Sequence, residues 1–237
     1  MYKIVKQYLS LHQRNLSNMA TKNATLTKDA LVSMYMNYVL EQNEKPKSVY
    51  QFSKQNSISE TEFYNFFGTI ESVEKEIFKM FYDNTIKLIQ KDTAFDTYDM
   101  RSKLLSFNFT FFEILTANRS YVTFALKEQK NQLKSLMQLS SLRTYYIQFV
   151  SDIISEEIIT KQEKFQNIQE KAIQGSFWVQ LVLTMKFWLE DSSPALEKTD
   201  IYIEKSINTA FELMNAFPLE NLIDFGKFLF KEKIYSK

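Results

Sequence analysis

Residues 45–73, KPKSVYQFSKQNSISETEFYNFFGTIESV, decide how the chain is read. Ser48 opens a short helix, and Gln51 three residues on predicts a capping box, each side chain satisfying a free N–H at the other's position. Val49 and Phe52 are expected to face inward. Gln55, Asn56 and Ser57 form a turn, with Asn56 the expected pivot because Asn tolerates left-handed backbone. Ser59 and Glu62 make a second capping box. Phe63, Phe66 and Phe67 are expected to pack behind this second helix. Gly68 and Thr69 break it, and Thr69 caps the next. Two short capped helices around a tight turn are what a helix-turn-helix reader of DNA requires.

Upstream, Thr27 is a good N-cap for a helix carrying Leu31, Met34, Tyr35, Tyr38 and Val39 on one face. Downstream, Ile70, Val73, Ile77, Met80 and Phe81 form the stripe of a helix reaching about Lys91. The polar, acidic stretch 92–99 is the expected domain junction. Beyond it the sequence reads as almost continuous helix: 104–115, rich in Phe and ending near Asn118, then 120–129, 133–159 and 163–189. Asp191, Ser192, Ser193 and Pro194 make a loop. A stripe of Ile203, Ile207, Ala210, Phe211 and Met214 follows at helical spacing. Pro218 is expected to stop that helix, and 219–233 to form a short last one. No segment alternates with period two for long enough to demand a strand. The expected fold class is all-α.

Composition agrees. The 237 residues include only three Gly and three Pro, which favours long helices over a turn-rich sheet fold. With 45% hydrophobic and 15% aromatic residues, a sizeable core can be buried. The absence of Cys excludes disulfides, thiolate metal sites and thiol chemistry, and fits a reducing cytoplasm. A net charge of +1 gives no global pull toward nucleic acid or acidic membrane. The longest greasy run, 177–189, is shorter than the roughly 20 apolar residues a membrane span needs. Residues 1–25 are basic, with Lys3, Lys6, Arg14 and Lys22, and lack an apolar signal core. A flexible basic arm, an upstream start with Met19 as the true start, and an organellar transit peptide all fit that stretch.

Residues 28–81 resemble the DNA-binding domain of the tetracycline-repressor (TetR) family. Ser48 and Val49 stand at the family's capped helix start. Asn56, Ser57, Ile58 and Ser59 stand at its Ala-Gly-Val-Ser turn, and Tyr64, Asn65, Phe66 and Phe67 match its Tyr-x-x-Phe plug. FWLEDSSP followed by EKTDIYIEKS resembles the family's C-terminal domain more loosely. The resemblance implies a dimeric, repressor-like protein whose C-terminal bundle binds an effector. Two departures stand out. The family usually has Gly where this chain has Ser57, and a phosphate-contacting Lys where it has Ile70. A left-handed Ser costs about 1 kcal/mol, and the missing Lys removes one counterion-releasing contact.

The resulting organisation is a basic arm over 1–25, a helix-turn-helix domain over 26–91, and a helical effector-binding and dimerisation domain over 92–237. Candidate DNA-contacting residues are Lys47, Ser48, Lys54, Ser59, Thr61, Tyr64 and Asn65. The segment 45–73 is neutral, because Lys45, Lys47 and Lys54 are balanced by Glu60, Glu62 and Glu71. Phosphate contacts therefore fall partly to hydroxyls, helix N-termini and the arm. Candidate ligand-lining residues are Phe107, Phe111, Phe124, Tyr145, Phe149 and Trp178, facing a small apolar or aromatic effector. The helix containing 177–189 is apolar almost all round. With the Ile203 stripe it forms a candidate two-fold interface through Phe187, Trp188, Ile203, Ile207 and Phe211, which would present two readers to a palindromic site. The single His, His12, lies in the arm, and there is no metal-ligand motif or Gly-rich phosphate loop. No enzyme, cofactor or metal role is expected. A TetR-fold carrier or sensor of hydrophobic molecules that no longer binds DNA is the alternative.

Overall fold

The computed structural model describes residues 26–127, 137–157 and 163–216. Every regular element among them is helical: α1 (Lys28–Gln42), α2 (Val49–Gln55), α3 (Glu60–Tyr64), α4 (Ile70–Ile89), α5 (Met100–Ala117), α6 (Arg119–Lys127), α7 (Ser140–Glu157), α8 (Glu163–Glu190) and α9 (Glu197–Ala216), with 3-10 turns at Phe95–Thr97 and Pro194–Leu196. The all-α expectation holds. The described residues fall into two compact units. One gathers those up to Thr93 with Thr110–Tyr145. The other takes Ala94–Phe109 and the residues from Tyr146 onward.

In the first unit, side-chain caps start the helices. Thr27, Ser48, Ser59 and Thr69 each accept an N–H of the first turn, from Ala30, Gln51, Glu62 and Ser72 respectively. Phe52 is the hub of the core. Its ring lies 6.0 Å from Tyr35, 5.9 Å from Tyr38 and 5.8 Å from Phe63, tying α1, α2 and α3 together. Glu74 of α4 is buried, and its Oε1 accepts from the Tyr35 hydroxyl at 2.6 Å and pairs with Lys45 Nζ at 2.5 Å. A buried carboxylate needs such partners, and these two brace α4 against α1 and the loop after it.

Three local expectations change. Gln51 Oε1 accepts from the Lys47 N–H at 3.0 Å, so the reciprocal bond of the first box sits one residue earlier than Ser48. The turn pivots on Ser57, at φ 55°, while Asn56 keeps φ −94° and donates its side-chain amide to Phe52 O at 2.8 Å. The family's Gly position is thus the left-handed one. Phe66 is 37% exposed, whereas Phe63 and Phe67 are buried, because helix α3 ends at Tyr64 and the following turn swings Phe66 outward.

The second unit is built on α8 and α9. Leu181, Trp188, Ile203 and Ile207 are buried, and Phe187 stacks on Tyr202 at 4.5 Å. Gln180 Nε2 donates across to Ser206 Oγ at 3.0 Å. The corner between the helices contains two left-handed non-glycine residues, Ala195 and Leu196. Asp191 holds this corner. Its Oδ1 accepts from the Ser193 N–H and hydroxyl at 2.8 and 2.7 Å, and its Oδ2 from the Thr199 N–H and hydroxyl at 2.9 and 2.7 Å. Burial alone would raise this carboxyl's pKa, but the hydrogen bonds outweigh burial and hold it down at about 2.

Within the expected 133–159 helix, described structure begins at 137, and a turn at Leu139 precedes α7. The side chain of Met214, the stop at Pro218, the helix at 219–233, the arm and His12 lie outside the described residues.

Candidate nucleic-acid interface

The α2–turn–α3 unit presents its polar side outward. Lys47, Ser48, Lys54, Ser59, Thr61, Tyr64 and Asn65 are all exposed. Their apolar neighbours explain why: Phe52 and Phe63 anchor the inner faces, so residues on the opposite side of each helix must face solvent. Tyr64 sits edge-on to Phe63 at 5.6 Å, which orients its ring, and is 53% exposed. Lys54 Nζ lies 5.8 Å from the centre of the Tyr50 ring, itself 59% exposed. Tyr50 is an addition to the surface that the sequence reading missed. Its signal was a large aromatic one residue outside the α2 inner face.

The electrostatics are restrained. Lys45 is tied to Glu74, and Lys28 to Glu76 at 2.7 Å, so neither is a free cation. Lys47 and Lys54 are the candidate cations on this face. At the start of α3, Glu62 Oε2 accepts from both the N–H and the hydroxyl of Ser59, each at 2.8 Å. Those bonds, led by the Ser59 N–H, pull the Glu62 carboxyl below the usual carboxylate range. Ser59 as found therefore has its donors occupied. Ser48 differs: its Oγ accepts from the Gln51 N–H at 3.1 Å, which leaves the hydroxyl hydrogen to donate elsewhere.

The aromatic candidates divide between the two units. Phe107, Phe149 and Trp178 belong to the second unit, and Phe111, Phe124 and Tyr145 to the first. Phe107 stacks on Phe149 at 5.0 Å, and Tyr146 lies 5.0 Å from Phe107 and 6.3 Å from Trp178, a packed aromatic core. Phe111 is fully buried. Tyr145 is partly exposed, with Lys79 Nζ 4.8 Å from its ring centre. Phe124 borders a groove beside α2.

The α8–α9 candidates divide as well. Trp188, Ile203 and Ile207 are fully buried within the protomer, so they hold the two helices together and cannot face a second copy as they stand. Phe187 and Phe211 are part-exposed. Phe211 rests on Phe177 at 5.7 Å and under Arg101 at 5.2 Å. The outward apolar surface is a different stripe. Val179, Leu183, Ile201 and Leu213 are 54%, 49%, 51% and 54% exposed, and they border a shallow groove with Phe187 and Tyr202. Among the described residues no helix is long and apolar enough to cross a membrane, and no group of His, Cys, Asp and Glu is arranged to hold a metal.

Together these features define an all-helical protein with a small capped helix-turn-helix unit and a long, apolar helical pair. Residues 103–229, more than half the chain, match the family model for the tetracyclin repressor-like C-terminal domain. The chain belongs to the TetR-like family of regulators. No curated protein matches it.

Proposed function

We propose that the chain is a cytoplasmic, TetR-like transcriptional regulator that acts as a repressor, binding DNA through residues 26–91 and dimerising through 92–237, under the control of a small hydrophobic ligand. The observation that carries this reading is the outward-facing set on the capped α2–turn–α3 unit, from Lys47 to Asn65. In a two-fold dimer two such units would read a palindromic site about one turn of B-DNA apart. Asn65 and Thr61 reach base edges, while Lys47, Lys54, Ser48 and Tyr64 contact phosphates. The exposed stripe of Val179, Leu183, Ile201 and Leu213 is the two-fold surface. Ligand control is a population shift: the ligand binds one spacing of the two readers better than the other. The chain works by binding and carries out no catalysis.

Selection of bound fragments from random duplex DNA at low salt tests the reading. Enrichment of a palindrome supports it, and recovery of no sequence at any salt would overturn it. A specific observation favours the alternative, a carrier or sensor of hydrophobic molecules without a DNA role. Helix α3 has no cation, and Glu60 and Glu62 stand in its first turn. Tight binding of an apolar ligand by a chain that retains no duplex would select that alternative.

A further inference from the structure

A groove of about 870 Å³ opens in the first unit, walled by the loop after α1, the starts of α2 and α4, Phe124 of α6 and the segment Met137–Gln138. Its size suits a small molecule (such sites span roughly 300–1,000 Å³). Ile70 and Phe124 give it an apolar wall, and Lys47 and Lys75 are among its lining residues. Lining lysines outnumber lining glutamates, and the pair Lys45 and Glu74 is already mutually satisfied, leaving Glu71 against the other two cations. The first turn of α4, a 20-residue helix, adds the positive end of its dipole.

Gln138 supplies an independent pointer. It is only 5% exposed, it lines the groove, and its carboxamide oxygen has no hydrogen-bond donor. Buried amides are normally satisfied; this oxygen is sealed from the groove as it stands, so an occupant meets it only after the carboxamide turns. Rotation of the carboxamide exchanges its oxygen and nitrogen, so it can turn its acceptor toward an occupant.

We propose that this groove binds a small amphipathic acid: an apolar, ring-containing body with one carboxylate and one N–H or O–H donor. The body lies against Ile70 and Phe124. The carboxylate faces Lys47, Lys75 and the start of α4, and the donor meets Gln138. The groove shares Lys47, Ser48 and Tyr64 with the proposed DNA surface. An occupant therefore neutralises a phosphate-binding cation and covers Tyr64, and it competes with DNA directly. That regulatory consequence rests on the DNA-binding reading; the binding itself does not.

The test uses the full chain and indole-3-butyrate, which has an apolar ring system, a carboxylate and an N–H. Calorimetry is expected to show binding, at least tenfold weaker for its methyl ester, for Gln138→Leu and for Lys75→Glu. Lys75→Glu lies near the surface and keeps the test open where Gln138→Leu fails to fold, as judged by circular dichroism. Absence of binding up to about 1 mM, the weak end of useful affinity, overturns the proposal. Equal affinity for acid and ester, or for wild type and Lys75→Glu, overturns it too. Fluorescence anisotropy of a selected duplex, with and without the acid, separates the two readings. Duplex bound but acid not bound sinks the groove and leaves the regulator standing. Acid bound with no duplex at any salt sinks the regulator and leaves the groove.

Discussion

Salt dependence gives the sharpest test of how this chain would hold DNA. The structure leaves Lys47 and Lys54 exposed on the α2–α3 face, while Lys28 and Lys45 are held by Glu76 and Glu74. A two-fold dimer then offers about four cations to phosphates, and each neutralised phosphate on duplex DNA contributes about −0.9 to the slope of log K against log salt. The expected slope is about −3.6, so affinity falls roughly 150-fold between 50 and 200 mM salt. Lys54→Ala removes two of those contacts per dimer, reduces the slope to about −1.8 and the loss to roughly 12-fold. Fluorescence anisotropy of a selected duplex across a salt series measures both numbers. A steeper wild-type slope that relaxes to about −3.6 on deletion of residues 1–24 assigns the excess to the basic arm. A slope unchanged by Lys54→Ala would refute the assignment of Lys54 to the backbone. A wild-type slope near zero would refute phosphate contact altogether.

Three further outcomes follow from other parts of the molecule. Asp191→Asn is expected to lower stability at pH 7 by about 2 kcal/mol, the linkage value of a carboxyl held near 2 when its ordinary value is 3.8. Because the folded pKa is the depressed one, that contribution is present above about pH 4 and lost as pH falls through 2, so wild type and variant converge in urea melts at low pH. Ser57→Gly relieves a left-handed serine and should stabilise the chain by about 1 kcal/mol in thermal melts, and an unchanged midpoint would mean the turn is unstrained. Leu183→Glu, on the exposed α8 stripe, should leave a folded monomer in analytical ultracentrifugation, and a folded dimer would place the two-fold surface elsewhere.

Much of this architecture was legible in the residues, because helix starts are written in short polar side chains. Thr27, Ser48, Ser59 and Thr69 all cap where their hydroxyls predict. The stripe periods also place α4, α8 and α9 to within a few residues. What the pattern could not separate is burial inside one protomer from burial between two. Trp188, Ile203 and Ile207 have the spacing of an inward stripe, and they pack inward within the chain. The offset stripe through Val179 and Leu183 was the better sign of an outer surface, because α8 is apolar on more sides than one partner helix can cover. The ring-rich segments carry a similar ambiguity. Composition counts aromatics but does not say which compact unit each one joins, and Phe107 and Phe111, one turn apart on α5, fall in different units. The shift from Ser48 to Lys47 as the partner of Gln51 is finer still: two adjacent amides compete for one side chain, and backbone direction decides.

The start of α3 is where structure and proposed function pull against each other. Glu62 occupies the Ser59 N–H and hydroxyl, the donors a DNA phosphate would seek at a helix N-terminus. Carboxylate and phosphate are both anions, so they compete for one seat and repel each other if both remain near it. DNA binding through Ser59 therefore requires Glu62 to swing out, and both its ties to Ser59 and its charge oppose the exchange. Glu62→Gln keeps an acceptor for the capping box while removing the charge. The variant is expected to hold a selected duplex more tightly than wild type, most visibly at low salt, with its helical circular dichroism unchanged. Equal affinity at low salt would show that phosphates stay away from the α3 terminus, leaving Ser48, Lys47 and Lys54 to carry the backbone contacts.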